Sequence, residues 1–209
     1  VTTARRGRPT REEATELKER LREGAVSAFL EYGYDGATME AIAAAAGVTK
    51  RTLYARYPDK RAVFVDVIPW ALSREVDRDV KRKIKDDDLP GALTEIARGA
   101  IKRALDPDTR RLHRVVMNES DRFPEFEVSS ETLGWSRRQR QLMDVLRHHQ
   151  AAGNIEVDDI ELAAEHFLAM VEALPARLAD FGVFRSKRQE ERHLKVAVNL
   201  FLRGVLPRG

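Results

Sequence analysis

The groups able to do chemistry in this 209-residue sequence are five histidines, 34 carboxylates and 37 lysines or arginines, with no cysteine. Lack of cysteine excludes disulfides, thiolate metal sites and a thiol nucleophile. Of the histidines (His113, His148, His149, His166 and His193), the adjacent pair His148 and His149 would project about 100° apart on a helix, which is wrong for one metal. Glu190-x-x-His193 matches a di-iron helix motif once, but that chemistry needs a second copy and none is present. A surface ion pair between those two is the expectation. No Gly-rich phosphate loop or nucleophile elbow occurs, and no serine has a catalytic setting. The pattern therefore predicts no catalytic residues, no metal and no cofactor. The remaining chemistry is charge. Residues 1–61 hold 12 Lys+Arg against 9 Asp+Glu, and residues 62–209 hold 25 of each. The excess gathers at Arg5, Arg6, Arg8 and Arg11, then at Lys50, Arg51, Arg56, Lys60 and Arg61. Two basic clusters flanking one compact segment point to an anionic polymer.

The elements that must carry these clusters are helical. Thr10 and Glu13 form a capping-box pattern, after which Leu17, Leu21, Ala25, Ala28, Phe29 and Tyr32 recur at spacings of three and four. Gly33 and Gly36 stop that helix. A small, Ala-rich helix follows from Thr38 to Ala46, then a tight turn at Gly47-Val48, then a short helix capped by Thr49 and ending near Tyr57-Pro58. A helix-turn-helix needs small residues where helices cross, a turn residue tolerant of positive φ, and apolar anchors behind a polar face. Ala43, Gly47, Ile42, Val48 and Leu53 meet those needs in order, leaving Lys50, Arg51 and Tyr54 outward. Beyond it, Pro69, Pro90, Pro107, Pro124, Pro175 and Pro207 divide the chain into further helices. Residues 71–88, including Lys81-Arg82-Lys83, read as a solvated helix and loop. No strand is predicted, and apolar runs are too short for a membrane span. With no secretory signal pattern, the expected setting is cytoplasmic.

The stretch Thr38 to Tyr57, TMEAIAAAAGVTKRTLYARY, resembles the DNA-binding motif of the TetR family of bacterial transcriptional regulators. The resemblance runs back through AFLEYGYDGAT and forward through PDKRAVF, covering residues 11–69, and rests on Gly33, Thr38, Ile42, Ala43, Gly47, Val48, Leu53, Tyr54 and Lys60 together. Arg61 departs from it, standing where relatives usually carry an acid, and an extra phosphate contact is the expectation there. Double-stranded operator DNA is the implied partner. Lys50 and Arg51 would read base edges in the major groove, and Tyr54 would meet a thymine methyl or a phosphate. Thr38, Tyr57 and Lys60 would clamp phosphates, with a plain N-cap the other reading of Thr38. Thr49 and Thr52 complete the DNA-facing set. In the arm, residues 1–10, Arg5, Arg6 and Arg8 resemble a minor-groove hook, or else give only non-specific affinity.

Residues 70–209 read as an effector-binding and dimerisation domain, making the whole fold all-α. Ile160, Ala164, Phe167, Leu168, Val171, Leu174 and Leu178 line one helix. Leu194, Ala197, Val198, Phe201 and Val205 line the next, widened by Val196 and Leu200. Stripes this wide imply burial on two sides, the chain's own core and an identical pair from a second copy; the family resemblance implies the same homodimer, and a monomer using all the surface internally is the alternative. Glu119 to Phe126 is similar to a segment of AefR-like C-terminal domains. Phe123, Phe126, Trp135, Met143, Phe167 and Met170 suit an apolar cavity for a small apolar or amphipathic effector, or are ordinary core. Arg138 either neutralises an acidic effector or shares a solvated basic face with Arg137 and Arg140. The expected function is a homodimeric repressor released from DNA by a ligand, with a ligand-independent or architectural DNA binder, or an activator, as alternatives.

Overall fold

The computed structural model describes residues 10–73, 87–123 and 135–207. Arg5, Arg6, Arg8, Phe126 and the Lys81-Arg82-Lys83 run lie outside them. Among the described residues there are nine α-helices and no strand: α1 (Arg11–Gly36), α2 (Met39–Ala45), α3 (Lys50–Tyr54), α4 (Lys60–Ser73), α5 (Leu89–Leu105), α6 (Pro107–Glu119), α7 (Trp135–Ala151), α8 (Ile160–Asp180) and α9 (Lys187–Val205), with a 3-10 turn at Ser120–Arg122. They form two compact units, the first reaching Ala71 and resuming at Val115, the second taking Leu72–Arg114 and the helices from α7 onward.

The first unit opens with the expected capping box: Thr10 N–H donates to Glu13 at 2.7 Å, and Glu13 N–H donates to the Thr10 hydroxyl at 3.2 Å. Gly33 breaks α1 with φ +68°, so the chain turns there and the last short stretch to Gly36 aims Tyr34 inward. Tyr34, Phe29, Phe64 and Phe123 then pack ring against ring at centroid distances of 4.7–6.2 Å, geometry that favours edge and tilted contacts. Tyr32, expected on the buried stripe, is 50% exposed, because the stripe ends at Phe29 before the Gly33 break. Gly24 sits where α1 crosses the helix-turn-helix. A Cβ there would lie 2.4 Å from the Ala46 backbone nitrogen.

In the second unit α5 is central, packing on α7, α8 and α9. Its buried stripe, Leu93, Ile96, Ala97, Ala100 and Ile101, shares a core with Leu142 and Leu146 of α7, Phe167 and Val171 of α8, and Leu194 and Phe201 of α9. The prolines divide the chain less than expected. Pro90 and Pro107 stand in first helical turns, where a missing N–H costs nothing, but Pro69 lies inside α4 and Pro175 inside α8. Pro175 cannot donate to the carbonyl four residues back, that of Val171. His193 of α9 supplies the substitute, its Nε2 lying 2.9 Å from the Val171 oxygen, which fixes the proton on Nε2. The Glu190–His193 surface ion pair is thereby replaced by an inter-helix bond to an orphaned backbone group.

Candidate nucleic-acid interface

The helix-turn-helix is built from two capped helices around one left-handed residue. Thr38 caps α2, accepting from Ala41 N–H at 3.1 Å, and Thr49 caps α3, accepting from Thr52 N–H at 3.2 Å and sharing a 2.9 Å hydroxyl bond with Thr52. Gly47 takes φ +63°, and Val48 N–H then reaches Ala43 O at 3.0 Å to close the turn. Ile42 and Leu53 are fully buried behind it, while Val48 is half-buried. With its back so fixed, the five-residue α3 presents Lys50, Arg51 and Tyr54 outward, all exposed. Near its start the Lys50 ammonium is ion-paired with Glu40 of α2. That pairing draws the Glu40 carboxyl below its ordinary pKa and raises that of Lys50.

A second network braces the turn from behind. The Arg22 guanidinium of α1 makes a two-pronged contact with Asp66 of α4, Nε at 3.1 Å and Nη2 at 2.7 Å, and lies over the Trp70 ring. Tyr57, just beyond α3, is buried, and its hydroxyl donates to the same carboxylate at 2.6 Å. Burial pushes Asp66 upward in pKa, but the bonds from Arg22 and Tyr57 outweigh it and the net shift is downward. Three elements thus share one carboxylate.

Residues 21–67 match the family model described as bacterial regulatory proteins, tetR family, and residues 91–204 match that of the AefR-like transcriptional repressor, C-terminal domain. The chain belongs to the TetR family. It is a DNA-binding regulator of that family. A curated relative, the HTH-type transcriptional regulator AcrR of Shigella flexneri, is 29% identical over 109 residues, half of this chain. The chain spans about half the length of that relative, 49%. Among solved structures, a TetR-family regulator from Mesorhizobium loti MAFF303099 is 28% identical with a TM-score of 0.83, covering 95% of this chain and all of its own. The structure titled flavonoid-responsive regulator FrrA is 29% identical with a TM-score of 0.75, covering 94% and 100%. A regulator from Pseudomonas syringae pv. tomato, at 22% identity and a TM-score of 0.66 over 91% of this chain and 97% of its own, shares the fold.

Within this TetR reading head, the expected DNA-facing residues divide. Thr38, Thr49, Lys50, Arg51 and Tyr54 are exposed and Thr52 half-buried on the helix-turn-helix. Tyr57 is turned inward on Asp66. The Lys60 ammonium donates to the Tyr34 and Asp35 carbonyls at 2.6 and 3.1 Å and lies over the Tyr34 ring. These two bonds use two of its three donors. Arg61, expected to add a phosphate contact, instead donates to the Arg122 carbonyl at 3.0 Å and covers the Phe123 ring. Its departure from the family pattern therefore coincides with a contact inside the unit. Arg122 in turn pairs with Asp35 at 2.8 Å.

The proposed effector residues also divide. Phe123 lies in the aromatic core of the first unit, whereas Phe167 is core in the second, with Met143 and Met170 packed partly buried against it. Trp135 begins α7, but its side chain, like that of Arg137, lies outside what is described. Arg138 is not on a solvated basic face. It is buried and holds Glu172 of α8 at 3.3 Å. Among the described residues no three His, Asp or Glu side chains are grouped to hold a metal, and no helix is long and apolar enough to cross a membrane.

Arg22, Glu40, Asp66 and Gly24 were not marked by the sequence, since each acts through a partner 10 to 44 positions away. Because Asp66 has a depressed pKa, its contribution exists above the unfolded-state pKa and fades as pH falls through the folded one. Asp66→Asn should therefore cost about 1.5 kcal/mol at pH 7, the low end for bonds to a charged group because Asp66 is 36% exposed. The gap to wild type in urea melts should narrow as the pH is lowered past the carboxylate range.

Proposed function

We propose that this TetR-family regulator is a homodimeric repressor whose grip on operator DNA is loosened by a small apolar or amphipathic ligand. The observation that carries the DNA part is the exposed triad Lys50, Arg51 and Tyr54 on a capped, glycine-turned recognition helix. The N-terminal residues of such a helix meet base edges in the major groove, and long donors suit guanine O6 and N7. Thr38, Thr49, Thr52 and the third donor of Lys60 serve backbone positioning. Support for the dimer comes from apolar side chains left uncovered on the last two helices, Leu162 and Leu174 of α8 with Val196 and Leu200 of α9, 46–56% exposed. Val196 and Leu200 lie one turn apart on the side of α9 opposite its buried stripe, the kind of surface a two-fold partner would cover. For the ligand, a similar structure titled as a flavonoid-responsive regulator makes flavonoids the first probe.

In a dimer, two recognition helices must lie about 34–36 Å apart to enter successive major grooves. A ligand favouring another separation weakens DNA binding by no more than its difference in affinity for the two states. Selection from a random duplex pool should return an inverted repeat. On that site Lys50→Ala or Arg51→Ala should each cost about 1–3 kcal/mol and relax base choice at one position per half-site. Equal losses on the selected site and on random DNA would remove both from the readers.

A further inference from the structure

The Lys50–Glu40 pair lies on the face offered to DNA, and its acidic member has no place among base readers or phosphate clamps. Glu40 is the second residue of α2, the helix that in this motif crosses the DNA backbone. Lys50 is the first residue of α3, where base contact begins. Both side chains are more than half exposed, so neither is held by burial. Thr49 caps α3 and Thr38 caps α2 on either side of them, which sets the backbones and leaves the lysine stem as the variable part. An ammonium has three donors and no directional preference of its own, so it binds any phosphate within reach. Paired with a carboxylate, the same group carries no net charge outward and keeps donors available for a neutral acceptor such as a guanine edge.

We propose that Glu40 is a specificity-determining residue, which holds Lys50 against α2, withholds its charge from the phosphate backbone, and directs its remaining donors to the base edge. This rests on Lys50 being a base reader. On non-specific DNA, Lys50 would have to leave a carboxylate to gain a phosphate, an exchange of one anion for another with little net gain. At the cognate base the pair stays formed, and the lysine adds a hydrogen bond without giving up its partner. Each phosphate neutralised by a protein cation releases counterion and steepens the salt dependence by about 0.9 in log–log slope. Hiding Lys50 therefore flattens the slope on random DNA.

The test is a double-mutant cycle of Glu40→Gln and Lys50→Met in the full-length chain, measured by salt titration on a random-sequence duplex and on the selected site. Glu40→Gln should bind random DNA several-fold more tightly, with a slope steeper by about one. It should gain less on the selected site, so that discrimination falls. In the Lys50→Met background the same change should do almost nothing to either slope. Equal effects of Glu40→Gln with and without Lys50 would reduce Glu40 to general repulsion and overturn the proposal, as would unchanged discrimination. Coupling on random DNA with Lys50→Met harmless to base choice would instead sink the base-reading role of Lys50 and leave the pairing intact. Both positions are exposed, and melting temperatures within experimental error of wild type would exclude misfolding as a cause.

Discussion

Arg138→Met should remove about 3–5 kcal/mol from the stability of the second unit, the range seen when one member of a buried ion pair is deleted. The pair with Glu172 joins α7 to α8 with side-chain exposures of only 10% and 14%. Burial lowers the Arg138 pKa and raises that of Glu172, each partly offset by the other's charge. Deleting the arginine leaves a carboxylate in that setting with its main offset gone and only the weaker charge of Arg103 to oppose the burial. The companion change shows that the loss comes from the stranded charge. Arg138→Met with Glu172→Leu should be as stable as wild type or more so, because the desolvation cost of both ions disappears. The pH dependence has a definite sign. An acid with a raised folded-state pKa binds its proton in the native state first, so stability falls as pH rises through that pKa. The single variant should therefore lose less at pH 5 than at pH 8, and urea melts at both pH values check it.

Arg138 also marks where sequence ceases to be legible. Arg137, Arg138 and Arg140 read as one basic run, since composition is symmetric around them and only the packing of α7 decides which points inward. Helix ends, by contrast, are local. The Thr10 box, the Thr38 and Thr49 caps and the Gly47 turn depend on residues three to five apart, and the structure forms each at the expected place. So does the order of anchors Ile42, Ala43 and Leu53, because a buried stripe is a property of one helix. What failed were pairings across elements. Pro175 inside α8 is tolerated because His193, 18 residues on, satisfies the carbonyl it orphans. Arg61 looked like a phosphate ligand until Phe123, 62 residues on, was placed beneath it. Tyr57 is polar at its tip, and nothing near it in sequence predicts that Asp66 takes the hydroxyl. The exposed side of α3 was largely legible, since exposure on a short capped helix follows from spacing. Its acidic companion Glu40 was not, because it lies on the preceding helix across the turn.

The same gap hid Gly24, and substitution there should have the largest effect on the reading head. On an α-helix, Gly→Ala normally gains about 0.5–1 kcal/mol from backbone entropy. Here the added Cβ would lie 2.4, 2.6 and 2.7 Å from the nitrogen, Cα and Cβ of Ala46, all far inside van der Waals contact. Overpacking of this kind costs about 1–3 kcal/mol and sometimes more. It exceeds the entropy gain, and Gly24→Ala should destabilise. The atoms struck also matter. Two of the three belong to backbone, so trimming the neighbour by Ala46→Gly leaves both clashes in place and should not rescue the variant. Ala46 is the C-cap of α2 and immediately precedes Gly47, whose positive φ sets the direction of α3. Displacing it by the ångström needed would therefore move Lys50, Arg51 and Tyr54 as a group. Loss of operator affinity should accompany the loss of stability, and the salt slope should fall with it because phosphate contacts are lost together. A Gly24→Ala protein that melts at or above the wild-type temperature and binds DNA normally would show that α1 and the turn do not meet at Ala46.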